Sequence, residues 1–247
     1  MRLKLIACEI IFREVCYCVA RSPHVVDVRF MSKGLHSIGE AKMVCALQEE
    51  IDGVPKGKYD AVLLGYGLCN NGIRGLSSKH TRLVVPRAHD CITLLLGSCR
   101  RYQRYFEDNP GTYFKSTGWC ERDSELGNED NVLTQLGINR AYEEYVARYG
   151  QENASYIMKT LGEWDWTKHY SRLAYVDMGI GEFPQYEAES VRMAEELGWT
   201  FERIEGDLRL IRMLVQGDWP ENEFLVLDPG QHVKATYAGG IIEAGGL

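Results

Sequence analysis

The sequence predicts an α/β fold of the Rossmann type, with parallel strands and covering helices. Short apolar runs with the length and β-branched content of buried strands alternate with amphipathic stretches of helical spacing. This alternation occurs twice, at the start of the chain and in its last third, each time in the order β–α–β–α–β. Two similar lobes with a cleft between them fit this rhythm, and so does one continuous sheet without duplication.

The first half contains four predicted strands, in LKLIACEI, VVDVRFMS, YDAVLLGYGLC and TRLVVPRAHD. Helices are predicted over residues 13–21, over GEAKMVCALQEEIDG and over ITLLLGSCRRYQRYFED. The sequence Asn109-Pro110-Gly111 ends the last of these helices, and GTYFKSTGW is predicted to be extended.

The second half begins with a polar stretch of helical spacing, residues 121–166, which predicts a connecting helical insert. Strands are then predicted in RLAYVDMG, WTFERIEGD and EFLVLDPG, with helices in QYEAESVRMAEELG and LRLIRMLVQGDW between them. The predicted division is an N-terminal lobe at 1–120, the insert at 121–166 and a C-terminal lobe at 167–247.

The composition is that of an ordinary globular protein, with 45% hydrophobic and 26% charged residues among 247. A net charge of -7 argues against general binding of nucleic acid. No apolar run reaches the roughly 18 residues of a membrane span, and no secretory signal is visible. We therefore expect a cytoplasmic protein whose eight cysteines are reduced.

Three cysteines stand where predicted strands end: Cys8 after LKLIA, Cys69 after AVLLGYGL and Cys91 after RLVVPRAHD. The carboxyl ends of parallel strands share one edge of a sheet, so these thiols are expected to meet in one cleft. Three thiolates suit a 4Fe-4S cluster with one open iron, or zinc with an open position, although three unrelated half-buried thiols explain the pattern equally simply. His89 would instead close a four-ligand structural site.

The remaining candidate residues lie close to these cysteines in the sequence. The candidate catalytic residues are Glu9, Arg13 and His89. Arg13, at the start of the first helix, is suited to hold an anion, and an exposed ion pair with Glu14 is the simpler alternative. The candidate substrate-binding residues are Tyr66, Asn70, Arg87, Tyr113 and Trp119. Ordinary turn chemistry also explains these loops without any function.

The other cysteines and the glycine-rich loop carry weaker signals. Cys45 and Cys99 lie in apolar helical patterns that predict packing, whereas Cys120 follows a Gly-Trp pair and is a minor candidate for a fourth ligand. The loop GYGLCNNG lacks both the G-x-G-x-x-G spacing and a P-loop lysine, so it predicts neither a dinucleotide nor an ATP site.

Several blocks resemble one family. The segments ACEIIFRE, YGLCNNGIRGL, VVPRAHDCITLLLGS and NPGTYFKSTGW, with the more generic GDLRLIRMLVQGDW and LVLDPG, are similar to those of the domain of unknown function 1638 family. Members of that family come largely from anaerobic bacteria and methanogenic archaea, and many are encoded near corrinoid-dependent methyltransferases. The resemblance implies a role in one-carbon or corrinoid metabolism, with a corrinoid protein or methyltransferase as partner. It assigns no metal ligands.

Three functions follow as hypotheses. The first is a metal- or iron–sulfur-dependent enzyme or accessory protein that acts on a small molecule at the three cysteines. The second is a metal-free binding or chaperone-like protein for a corrinoid protein or a small ligand, in which the thiols only pack. The third is a hydrolase or transferase in which Cys91 is the nucleophile and His89 the base.

Overall fold

The computed structural model describes residues 1–37, 39–69, 71–123, 146, 149–162, 166–236 and 241–246. Within these residues the chain has the predicted α/β architecture, with two separate sheets that contain parallel strands and carry helices around them. Element numbers below follow chain order among the described residues.

The first sheet has five strands in the order β2-β1-β3-β4-β8. They are β1 (Arg2–Cys8), β2 (Val25–Met31), β3 (Ala61–Gly65), β4 (Arg82–Pro86) and β8 (Phe224–Leu227). The first four are parallel, and β8 runs antiparallel beside β4. Strand β3 is buried throughout and β1 is buried from Leu5 to Cys8, as expected for strands that are covered on both faces.

Helices connect these strands and pack on the sheet. The first two are α1 (Phe12–Val19) and α2 (Glu40–Asp52), and α2 buries one apolar stripe, Met43, Leu47 and Ile51. The prediction of a single helix after β4 is wrong, because the chain forms two helices there, α3 (Cys91–Leu95) and α4 (Cys99–Asp108). Gly97 takes a positive φ between them and Ser98 caps α4, so the helix ends and restarts there.

The second sheet contains three parallel strands in the order β5-β6-β7. These are β5 (Thr112–Ser116), β6 (Arg172–Asp177) and β7 (Thr200–Glu205). Helices α5 (Thr117–Asp123) and α7 (Pro184–Leu197) contact this sheet, and α6 (Gln151–Gly162) lies between them in the chain. The last helix, α8 (Arg209–Gln216), instead packs against α1 and against β3 and β4 of the first sheet. The extended segment predicted in GTYFKSTGW therefore stops at Ser116, where α5 begins.

The sheets do not divide the chain at the predicted boundaries. β5, from the predicted N-terminal lobe, pairs with β6, whereas β8, from the predicted C-terminal lobe, returns to pair with β4. β8 is a short apolar strand whose backbone satisfies the open edge of β4. A hairpin of β9 (His232–Ala235) and β10 (Ile242–Gly245) follows it, which the sequence patterns did not predict.

One apolar core joins the two sheets. It includes Leu5 and Leu63 of the first sheet together with Ala174, Val176 and Ile204 of the second. Much of the predicted helical insert, 124–145, 147–148 and 163–165, lies outside the described residues. None of the helices in the described part of the chain has the length and apolar character needed to cross a bilayer.

Candidate cysteine site at the edge of the first sheet

The site lies where the strand order of the first sheet reverses. The chain passes from β1 to β2 on one side and then to β3 on the other side of β1, so the crevice opens beyond the carboxyl ends of β1 and β3. Open α/β sheets bind their ligands at such switch points. Cys8 is the last residue of β1, and Cys69 lies four residues beyond β3.

The loops after β3 and β4 are joined by their backbones. Leu68 donates to the carbonyl of Ala88 and Cys69 to that of His89, both at 2.8 Å. Gly67 permits this approach, because a Cβ at that position would stand 2.5 Å from the amide nitrogen of Asp90. The two loops therefore bring Cys69 close to Cys91, which begins α3.

The loop that carries Cys69 is held in an uncommon conformation. Cys69 has a φ of 48° and Asn71 a φ of 67°, in the left-handed region that costs a non-glycine residue about 1 kcal/mol or more. Backbone strain of this kind is concentrated at ligand-binding and active sites. It persists here because the hydrogen bonds to the β4 loop fix the chain on either side.

The three predicted cysteines lie at the same edge of the first sheet, and all three are buried. Burial raises the pKa of the Cys8 thiol to about 11 and raises the pKa values of Cys69 and Cys91 well above that of an ordinary thiol. Part of the increase in the pKa of Cys91 comes from interaction with Cys69 and Cys8, and Cys8 also raises the pKa of Cys69. The sulfur atoms are thus near enough to one another for their charges to interact.

Hydrogen-bond donors around the sulfur atoms lower the pKa values of the thiols and so oppose the effect of burial. The backbone amide of Ile10 lowers the pKa of Cys8, and the amides of Gly67 and Cys91 lower that of Cys69. The Trp119 indole has the same effect on the pKa of Cys91, although its Nε1 makes no hydrogen bond of normal geometry. Amide donors of this kind stabilise a thiolate or a metal-bound sulfur.

Helix α5 closes the site from the side of the second sheet. A Cβ on Gly118 would lie 1.8 Å from the carbonyl oxygen of Ile10, so only glycine lets α5 pack so closely on the turn after β1. Arg13 forms an ion pair with Glu121, and Arg122 Nε lies 3.9 Å from Glu9 Oε2. These contacts hold Trp119 over the thiols.

A cavity of about 580 Å³ opens beside the cysteines. We call it the cysteine cavity; it is large enough for a small-molecule ligand. The lining residues come from the loops after β3 and β4, from α3, β5 and α5, and from the segment before β6: Leu68, Cys69, Asn71, His89, Asp90, Cys91, Ile92, Thr112, Tyr113, Phe114, Trp119 and Tyr170. Cys69 and Cys91 thus border the cavity, whereas Cys8 is not part of its wall.

The candidate catalytic residues occupy different places. His89 is exposed and lines the cavity, with its ring 5.8 Å from that of Tyr102. Glu9 accepts a hydrogen bond from the backbone amide of Lys33 at 2.8 Å, next to Cys8. Arg13 is not part of the cavity wall, since it pairs with Glu121 and lies 4.1 Å from the centroid of the Phe183 ring.

The candidate substrate-binding residues also lie in different places. Tyr113 and Trp119 line the cavity. Tyr66 is buried behind it, where its hydroxyl interacts with Cys8 and Cys69 and makes no hydrogen bond of normal geometry to any described residue. Arg87 instead binds the carbonyl oxygens of Glu221 and Ile242 and so holds the last part of the chain. Asn70 lies outside the described residues.

Cys45, Cys99 and Cys120 lie in three different environments. The prediction that Cys45 packs in the core is wrong: it is exposed, because α2 buries a different stripe, and its thiol lies 3.5 Å from Glu49 Oε1. Cys99 does pack against the core. Cys120 faces Ser190 of α7, with its sulfur 4.0 Å from Oγ.

Sequence reasoning missed Lys33, a buried lysine beside the thiols. Only 3% of Lys33 is exposed, and its Nζ lies 5.6 Å from the centroid of the Trp119 ring. Its charge lowers the pKa of Cys8. Its position in the sequence could have indicated this place, because Lys33 lies two residues after β2 and therefore at the same edge of the sheet as Cys8.

As the side chains stand, the described part of the chain contains no group of three or more histidine, cysteine, aspartate or glutamate residues positioned to hold a metal ion.

Residues 30–215 match the sequence profile of a family described as "Protein of unknown function (DUF1638)". No curated protein and no solved structure matches the chain significantly.

Proposed function

The chain belongs to the DUF1638 family, and we propose that it holds a metal centre on Cys8, Cys69 and Cys91. The observation that carries the proposal is that three buried thiols interact electrostatically at the switch point of a parallel sheet, beside a cavity of ligand size. The preferred centre is a 4Fe-4S cluster with one iron open to substrate, and zinc is the alternative.

The type of donor supports this centre, whereas the present spacing requires a movement. Thiolates are the ligands that iron–sulfur clusters and zinc prefer, and backbone amides already face Cys8 and Cys69. Because no described set is positioned for an ion, the thiol side chains have to turn toward a common point on binding. Binding also has to displace their protons, since burial alone keeps the thiols neutral.

The surrounding residues have separate tasks in this proposal. The buried Lys33 ammonium offsets part of the negative charge of the thiolates. Tyr113 and Trp119 form aromatic walls of the cavity, and His89 stands at its exposed side as a candidate proton donor or acceptor. A bound cluster or zinc ion would supply an open coordination position that polarises a substrate atom.

The wider role follows from the family resemblance alone. We propose an enzyme or accessory protein of anaerobic one-carbon metabolism that acts with a corrinoid protein or its methyltransferase. Its substrate would be a small molecule that enters the cysteine cavity. The electrostatic interactions and backbone hydrogen bonds described for the cysteine site do not depend on this wider role.

The test is metal analysis of protein purified without oxygen. We expect iron and sulfide in a brown protein, or one equivalent of zinc in a colourless one. Cys8→Ser, Cys69→Ser and Cys91→Ser should each lower the bound metal at least about tenfold, because second-shell changes alone cost 10–100-fold in affinity and a lost ligand costs no less. The matched control is Cys45→Ser, which removes an exposed thiol of α2 and should leave the metal content unchanged.

Two results would contradict the proposal. One is a wild-type protein that remains free of metal after reconstitution with iron and sulfide and, separately, with zinc. The other is a metal content that falls equally in Cys45→Ser and Cys69→Ser, since that pattern would indicate adventitious binding by thiols in general.

A metal-free binding protein is the second candidate. Two observations favour it: burial raises the pKa of all three thiols, and no described set is positioned for an ion. In that case the cysteines pack as small apolar groups. The serine variants would then leave ligand or partner binding nearly unchanged while the wild type contains no metal.

A further inference from the structure

A second cavity, of about 620 Å³, adjoins the cysteine cavity. We call it the α4 cavity, because helix α4 forms much of its wall. The two cavities share three lining residues, Leu68, Asn71 and His89. They are therefore neighbouring compartments of one cleft, and a single ligand can extend through both.

The α4 cavity has aromatic walls like its neighbour, but none of its described lining residues is a cysteine. Tyr102 and Phe106 of α4 present two rings whose planes differ by 19° and whose centroids are 6.1 Å apart. Leu68 and Ile241 add aliphatic surface. Phe106 is 49% exposed, so its ring has apolar surface available to a ligand. Such a wall favours a flat, apolar partner over a strongly hydrated one.

His89 marks the boundary between the compartments. Its ring lies 5.8 Å from that of Tyr102, and it belongs to the walls of both cavities. Cys69 and Cys91 line only the cysteine cavity. A ligand with its apolar part against α4 therefore directs its other end past His89 toward the thiols.

We propose that the α4 cavity binds a planar apolar ring system, and that the polar, reacting end of the same small molecule enters the cysteine cavity. The assignment of a reacting end rests on the proposed function. Binding of the ring system does not, because none of the α4 residues belongs to the candidate metal ligands. The substrate class is thus a small molecule with a flat apolar ring and a polar end.

The experiment uses 8-anilinonaphthalene-1-sulfonate, a flat apolar probe with a charged end, titrated into the full chain with and without reconstituted metal. We expect saturable binding of one probe per chain. Phe106→Arg should weaken it at least about tenfold, because it replaces an aromatic wall with a charge. Phe106→Tyr keeps the ring and should bind within about twofold of the wild type. Tyr156→Arg, at a position of α6 that is 72% exposed, is the control for nonspecific binding.

The outcomes separate this inference from the proposed function. Binding that is not saturable, or that is equal in Phe106→Arg and wild type while circular dichroism shows both to be folded, overturns the α4 site. A metal-free wild type that still binds the probe in a Phe106-dependent way supports the α4 site and removes only the metal centre. Metal-loaded protein that binds no probe supports the metal centre and overturns the α4 site.

Discussion

The carboxyl edges of the two sheets differ in strand order and in chemistry: the order reverses at β1 in the first sheet and runs β5-β6-β7 without reversal in the second. At the first edge, three buried thiols lie among backbone amides and a buried lysine. At the second, a cavity of about 380 Å³ is lined by charged residues and glycines, including Asp177, Arg203 and Glu205. Asp177 and Arg203 form an ion pair that remains partly exposed. Parallel strands thus create a crevice in both places, but burial and residue type decide what each crevice can hold.

The largest expected effect concerns the contact that joins the loops of the first edge. Gly67→Ala should lower the free energy of unfolding by about 3 kcal/mol, because the new Cβ meets the Asp90 backbone, which cannot move without breaking the loop hydrogen bonds. The control is Gly179→Ala at the second edge, with a φ of 63° and no atom within 4 Å of the new Cβ. It should cost about 1 kcal/mol. Denaturant titration measures both, and equal losses would contradict the proposed loop contact.

The next effect is a pH dependence near the first edge. Burial raises the pKa of Glu14, on α1, to about 7, and the charge of Glu121 contributes. A carboxyl group with a raised folded pKa stabilises the fold fully below its unfolded pKa, and this stability is lost as pH rises toward the folded value. Glu14→Gln should therefore be more stable than the wild type by about 2 kcal/mol at pH 8 and nearly equal to it at pH 4. A difference that does not change between these pH values would contradict the assignment.

A third prediction concerns thiol accessibility in the metal-free chain. Iodoacetamide should label Cys69 and Cys91 at least about tenfold more slowly than the exposed Cys16 and Cys45, since burial keeps the first pair neutral and shielded. Peptide mass spectrometry after timed quenching gives the rates. Complete labelling of all eight cysteines in denaturant is the control, and fast native labelling of Cys69 would show that the first edge is open.

The smallest effect is expected at the second edge. Arg203 lowers the pKa of Asp177, so the pair stabilises the fold above the unfolded carboxyl pKa and loses this contribution as pH falls through the folded value. Because both side chains are partly exposed, a double-mutant cycle of Asp177→Asn and Arg203→Gln should give a coupling below about 1 kcal/mol at pH 7. A coupling well above that value would place the pair in a drier site than the structure describes.

The sequence patterns predicted the strands of the first sheet well, because continuous apolar runs such as Ala61–Gly65 allow few alternatives. The placing of Cys8, Cys69 and Cys91 at one edge of the first sheet followed from the rule that parallel strands end at one edge. The patterns failed where a local signal is shared by several structures. The apolar run after Asp90 predicted one helix, and only the positive φ at Gly97 divides it. Cys45 lies in an apolar stretch, but the register of α2 turns it to solvent.

The sequence by itself determined the α/β class and the placing of three thiols at strand ends, since both depend on periodicity along the chain. Only the tertiary structure decided that β5 joins the second sheet and that β8 returns to β4. It also decided that Lys33 and Gly118 lie at the site. The physical reason is that strand pairing and helix packing are chosen by the complementarity of distant surfaces, which no local pattern contains.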